Sequence, residues 1–328
     1  MKNAENKITA VLKSSGFAWL LIIESFVMGW AAFFSGFCAE NISVDGIWLP
    51  NFDNVASARD ISIIFAVVII GLCCIVMAII GKMYNVLKTT AMLFVGLFSV
   101  MVSSTPELYV SLDTGVVLAF VILLCVALLY STYLAPQQTR RIFLIYFLIA
   151  CGILFDYSFL PFIFVFFIGM NQMRCFSLRT FLAALIGLIT PVWILWGFGL
   201  LNLHEFIIPD PLYVYKWFLA KEGFDTFICV GLAMVIGLIL GVCNLMKTIA
   251  FNARNRAFTG VWSVMGIICG ILCFIDFTNI WAYVPLLYIC VAYQAALFMR
   301  LFEHYRSYIV ILIILILYIG FFVWNLTV

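Results

Sequence analysis

Glu24 lies within LLIIESFVMGW, part of an apolar run from Phe17 to Phe37. A carboxyl inside hydrocarbon is costly, and where one occurs it commonly binds a proton or cation or pairs with a polar group on a neighbouring helix. Glu24 is therefore the candidate buried ionisable group, set against the plainer reading of a protonated or hydrogen-bonded structural acid. Asp156, in FDYSFLP, and Asp276, in FIDFTNIW, have a different setting. Each stands between two apolar runs, with Tyr157 and Ser158 or Thr278 and Asn279 beside it. Such polar residues cap helix starts, and an acid near a helix N-terminus is stabilised by the dipole. The sharper chemistry gathers both acids with Glu107, Asp113, Glu205 and Asp210 around one acidic cavity. Carboxylate oxygens there could hold a divalent cation, or one carboxylate could act as general base on a lipid-linked substrate. The candidate catalytic residues on that reading are Asp156, Asp276, Glu107 and Asp210.

The elements that must position these groups are membrane helices. Of the 328 residues, 66% are hydrophobic and 10% charged, and the mean hydropathy is +1.22. Ordinary domains carry about 25% charged residues. A span needs about 20 apolar residues to cross roughly 30 Å of hydrocarbon. The apolar runs 17–38, 61–81, 89–104, 115–134, 142–155, 158–171, 180–201, 226–246, 258–275, 280–299 and 307–325 predict one integral-membrane domain over 1–328. The expected fold class is all-α, a polytopic transmembrane helical bundle of about 11 spans. The first 16 residues carry Lys2, Lys7 and Lys13, and the run that follows is too long for a signal-peptide core, so it reads as a retained first span.

Charges sort by side. Fourteen of the 17 Lys and Arg residues fall on one side of this topology and twelve of the 15 acids on the other. Cytoplasmic loops carry the Lys/Arg excess, so the N-terminus is expected in the cytoplasm and the C-terminus outside, in a multi-pass protein of the bacterial inner membrane. The stretch 142–171 reads as two short crossings, with a re-entrant hairpin as the alternative, because Asp156 and Pro161 interrupt it. A single helix there would be about 45 Å long and would put Arg140 and Arg141 opposite Arg174 and Arg179. Arg59, Lys216 and Lys221 are the cations left on the outward side, where they are candidate contacts for anions or lipid headgroups. Tyr213, Tyr215, Trp217 and Phe218 beside those lysines suggest an interfacial helix within 209–222.

Gly237 and Gly241, and Gly266 and Gly270, are GxxxG pairs expected to pack helices closely, within the chain or against a membrane-protein partner. Pro161, Pro191 and Pro285 lie in or near spans, where proline bends a helix. The 11 cysteines sit mostly in apolar runs as small hydrophobes, without metal spacing. No cofactor is implied beyond the divalent cation the outward acids could hold. Loops with two or three cations each offer no basic stripe for nucleic acid, and the partner implied by composition is the lipid bilayer.

The segment FDYSFLPFIFVFFIGMNQMRCFSLRTFLAALIGLITP, with its Arg-x-Phe-x-Leu-Arg and Ile186-Gly187-x-x-x-Pro191 elements, together with WAYVPLLYICVAYQ, resembles an uncharacterised Bacteroidota inner-membrane protein family, a domain of unknown function. The resemblance covers about 90–325 and implies an envelope location without catalytic residues. A looser architectural likeness is to lipid-linked glycosyltransferases and O-antigen polymerases, whose base is an acid in a long first outward loop. Here that loop, 39–60, holds Glu40, Asp45, Asp53 and Asp60 in only about 22 residues. Three functions follow as expectations. The first is a non-enzymatic component of envelope biogenesis, favoured because no catalytic constellation is visible. The second is a lipid-linked glycan transferase or polymerase acting at the outer leaflet. The third is an ion-coupled or small-molecule transporter built on broken helices.

Overall fold

In the computed structural model, residues 2–35, 59–135, 138–199, 223–276, 279–302 and 307–327 are described. Glu205, Asp210, Lys216, Lys221, Thr278, the interfacial segment 209–222 and most of the loop 39–60 lie outside them, as does the Arg59 side chain. The helices run α1 (Lys2–Leu12), α2 (Ser15–Phe34), α3 (Arg59–Met83), α4 (Ala91–Ser103), α5 (Pro106–Val110), α6 (Thr114–Ser131) and α7 (Gln138–Phe155). There follow α8 (Phe162–Gln172), α9 (Leu178–Gly197), α10 (Gly223–Thr248), α11 (Ala253–Ile275), α12 (Ile280–Leu301) and α13 (Ser307–Thr327). Among the described residues there is no strand. Among the described residues, nine helices are long and apolar enough to cross a membrane, and two shorter apolar helices, Lys88–Ser103 and Tyr157–Gln172, accompany them. The protein is an all-α polytopic helical bundle.

Its hub is α12. Of the apolar stretch of this helix 94% is buried, against 28% for α9 and for α10. A helix apolar all round belongs in a core, and α12 is surrounded by α4, α6, α10 and α11. Lipid tails are as apolar as leucine, so these contacts rest on close packing and on polar links more than on burial itself. Trp262 of α11 stacks on Tyr293 of α12 with centroids 5.1 Å apart, and Phe94 of α4 meets both edge-on. Aromatic pairs of this kind contribute about 0.5–1.5 kcal/mol each beyond their burial. The outer helices turn Trp19, Ile64, Trp193 and Leu238 to the surroundings, as a lipid-facing layer must.

Two local features set where helices break. Helix α4 stops short, because Ser103, Ser104 and Thr105 turn their hydroxyls back onto the carbonyls of Val100, Met101 and Val102 at 3.1, 2.6 and 2.9 Å. Those bonds help satisfy carbonyls that a helix end leaves open, which is obligatory where water is absent. Pro106 then opens α5, a position where its missing N–H costs nothing. The second feature is the break between α7 and α8 at Asp156–Pro161. The first of this pair starts at Gln138, four residues earlier than the apolar run, so Arg140 and Arg141 lie in its first turns. The Arg141 guanidinium donates to the Ser131 carbonyl at the end of α6, which lets a charged turn continue the helix. Helix α9 crosses α7 at Gly187, where a side-chain carbon would come within 2.7 Å of the Phe143 carbonyl oxygen.

Candidate functional site

Asp156 and Asp276, 120 positions apart in the chain, belong to one hydrogen-bonded network at adjoining ends of α6, α7, α11 and α12. Asp156 is 3% exposed and stands as N-cap of a 3-10 turn, Tyr157–Phe159. Its Oδ1 accepts from the Ser158 amide at 2.8 Å, the Ser158 hydroxyl at 2.7 Å and Asn279 Nδ2 at 3.4 Å. The Thr114 hydroxyl at the start of α6 also bonds this carboxyl. Asn279 Nδ2 lies 2.5 Å from Ser158 Oγ, which ties the α7–α8 turn to the first residues of α12. Asp276, half-buried at the end of α11, accepts from Tyr157 Oη and Tyr283 Oη at 3.0 Å each.

Close approach makes this possible. A side-chain carbon on Gly115 would collide with the backbone of Trp281 and Ala282, so glycine lets the start of α6 touch the start of α12. The network is a capping device that joins three turns, and Asp156 has its Oδ1 fully engaged. Glu107, in the first turn of α5, and Asp113, at the N-cap of α6, are half-buried nearby in the chain. Among the described residues, no group of three or more His, Cys, Asp or Glu side chains is placed to hold a metal ion.

Burial pushes the Asp156 carboxyl above its ordinary value, against the opposing pull of hydrogen bonds from Ser158, Thr114 and Asn279. A carboxyl whose folded pKa exceeds its unfolded one favours the fold when protonated. That contribution is fully present below the unfolded value and is lost as pH rises through the folded one. Wild type is therefore expected to gain thermal stability relative to Asp156→Asn as pH falls from 7 toward the ordinary carboxylate range. Paired melting curves in detergent check this, and a constant difference at every pH would contradict it.

Glu24 is half-buried, at the border between the lipid-facing and packed sides of α2. Its neighbour Ser25 is buried and donates to the Ser99 carbonyl of α4 at 2.8 Å. Glu24 thus keeps its place within an apolar span but stands at a helix edge, because the residue following it takes the inward position.

A cavity among the described residues lies elsewhere. Helices α10 and α11 both lie on α12 but diverge from each other, leaving a groove of about 390 Å³. Gly237 and Gly241 of α10, Gly266 and Gly270 of α11, and Leu287, Val291 and Gln294 of α12 are among its lining residues. The four glycines thus meet in one place, with different tasks. Gly237 and Gly266 bring their helices onto Val291 and Cys290, where a side-chain carbon would find atoms at 3.0 and 3.2 Å. A carbon on Gly270 would meet the tip of Met234, and one on Gly241 would meet nothing within 4 Å.

One end of the groove is polar. Asn244 Nδ2 donates to the backbone and side-chain oxygens of Gln294 at 2.8 and 2.9 Å, and Gln294 Nε2 donates to Ser263 Oγ at 3.1 Å. Asn244 is 1% exposed, and its Oδ1 has no hydrogen-bond partner among the described residues. The charged residues and glycines of the sequence do not point to this trio; its signal is Asn244 and Gln294, uncharged polar residues inside apolar runs. Gln294→Leu is expected to lower stability by about 1 kcal/mol, the scale of polar links between membrane helices. A melting midpoint equal to wild type would show the trio to be dispensable.

Comparison with family models, with curated proteins and with solved structures finds no match for this chain.

Proposed function

We propose that this chain is a non-enzymatic, multi-pass component of envelope biogenesis in a bacterial inner membrane, and that it works by holding the hydrocarbon chain of a lipid between α10 and α11. The likeness to an uncharacterised Bacteroidota family belongs to the same proposal and supplies its envelope location. The observation that carries the reading is the groove. It follows the helix axes from Trp262 to Phe274, about 18 Å, which is close to the thickness of one leaflet. A space of about 390 Å³ along the helix axes suits a single flexible chain. The groove's lining carries no acidic side chain, and Asp156 is engaged as a cap, so neither presents a base to a bound lipid. This favours retention of a lipid over its chemical conversion.

Gly241→Leu tests the proposal. A leucine there projects into the groove without meeting a neighbour at its first carbon. It also removes a helix-interior glycine, which costs about 1 kcal/mol relative to good helix formers. The variant is expected to melt no lower than wild type while copurifying lipid, counted by native mass spectrometry, falls several-fold. Unchanged lipid content in a folded Gly241→Leu protein would refute the groove as a lipid site.

A further inference from the structure

Among the described residues, no charged side chain lines the groove between α10 and α11. The amide and hydroxyl groups of its lining are those of Gln294, which is buried, and Ser263, which is half-buried. Each stands five residues inside the end of its apolar run, 280–299 or 258–275, about 8 Å along the helix axis. Lipid phosphates lie outside the hydrocarbon, and a charge brought to this depth would find no partner in the lining.

Hydrogen-bonding capacity decides what fits there. Asn244 Nδ2 can only donate, and it reaches the Gln294 carbonyl at 2.8 Å and Gln294 Oε1 at 2.9 Å. The carboxamide oxygen of Gln294 therefore faces Asn244, which turns Nε2 toward Ser263. Ser263 takes one of the two Nε2 N–H bonds, and the other has no partner among the described residues. Ser263 Oγ gives its own proton to the Thr259 carbonyl at 3.1 Å and accepts from Gln294, which leaves one lone pair open. A spare donor and a spare acceptor thus stand 3.1 Å apart at one end of an apolar groove. A hydroxyl meets both, accepting from Nε2 and donating to Oγ. An ether or an ester carbonyl only accepts, and a carboxylate would bring an unpaired charge.

We infer that the groove selects an uncharged single-chain lipid alcohol, with its hydroxyl between Gln294 Nε2 and Ser263 Oγ and its chain running toward Phe274. This rests on the lipid-groove reading and names the head of the lipid held there. The space of about 390 Å³ suits one chain, which favours an alcohol borne directly on that chain. A phospholipid can lay an acyl chain in the apolar part, but its esters leave the Ser263 lone pair unmet. Asn244 is a positioning residue, since it fixes which end of the Gln294 carboxamide meets the ligand.

The test incubates the full chain in detergent with an equimolar mixture of oleyl alcohol and oleyl methyl ether, which share their chain and differ in the hydroxyl proton. Mass spectrometry of the repurified protein counts each lipid retained by wild type, by Ser263→Ala and by Gly241→Leu, every variant first shown to melt as a folded protein. Wild type is expected to retain the alcohol about fivefold better than the ether, the worth of one hydrogen bond. Ser263→Ala should bring the two level, and Gly241→Leu should lower both. If wild type retains the two equally, or Ser263→Ala keeps the preference, the hydroxyl inference is overturned while the groove reading stands. If Gly241→Leu lowers neither lipid, the groove reading fails and this inference falls with it.

Discussion

Gly115→Val is expected to leave little folded protein, the largest effect of any single change considered. The atoms facing this glycine are the Trp281 carbonyl group and the Ala282 Cα, all backbone, so no rotamer change can make room. Overpacking a core costs about 1–3 kcal/mol and occasionally more, and a rigid neighbour places this site at the top of that range. Separating α6 from α12 would also draw Thr114 away from Asp156 and loosen the network around it. Gly71→Val is the control, since a side-chain carbon there meets nothing within 4 Å. Size-exclusion profiles and melting midpoints in detergent should collapse for Gly115→Val and match wild type for Gly71→Val. Equal behaviour of the two variants would rule out the close approach of α6 and α12.

Asp156→Ala is expected to cost about 3 kcal/mol, since leaving one buried donor unsatisfied costs about 1–3 kcal/mol and several lose their acceptor at once. Asp156→Asn keeps one oxygen in place for the Ser158 amide and hydroxyl, so its cost should be about 1 kcal/mol. This order follows from capping and from the joining of turns. A catalytic carboxylate without a structural role would show the reverse pattern, with alanine tolerated in melting experiments and asparagine as damaging to function as alanine. Chemical or thermal unfolding of the two variants at neutral pH decides the matter, and an Asp156→Ala midpoint equal to wild type would sink the capping account.

Class and break points were legible because they depend on single residues. Pro161 beside Asp156 announced the interruption between α7 and α8, and Asn279 beside Asp276 announced another helix start. The rest was hidden for a physical reason: a helix facing lipid and a helix facing other helices are both apolar. Nothing in WAYVPLLYICVAYQ therefore distinguishes the buried hub α12 from the lipid-facing α13. The pairing of Asp156 with Asp276 is tertiary, and no local pattern encodes it. The spacing of the two GxxxG pairs predicts close packing, and Gly237 and Gly266 do approach α12 closely. That the same glycines also line one groove depends on how α10 and α11 diverge, which spacing within either helix does not reveal.

The central claim is the occupied groove, and the most direct measurement is a cryo-electron microscopy map of the full chain in nanodiscs containing phosphatidylglycerol. The expected result is an elongated density between α10 and α11, running from Ser263 toward Phe274. A map in which α10 and α11 close on each other, with their own side chains filling the space above Gly241 and Gly270, would contradict it.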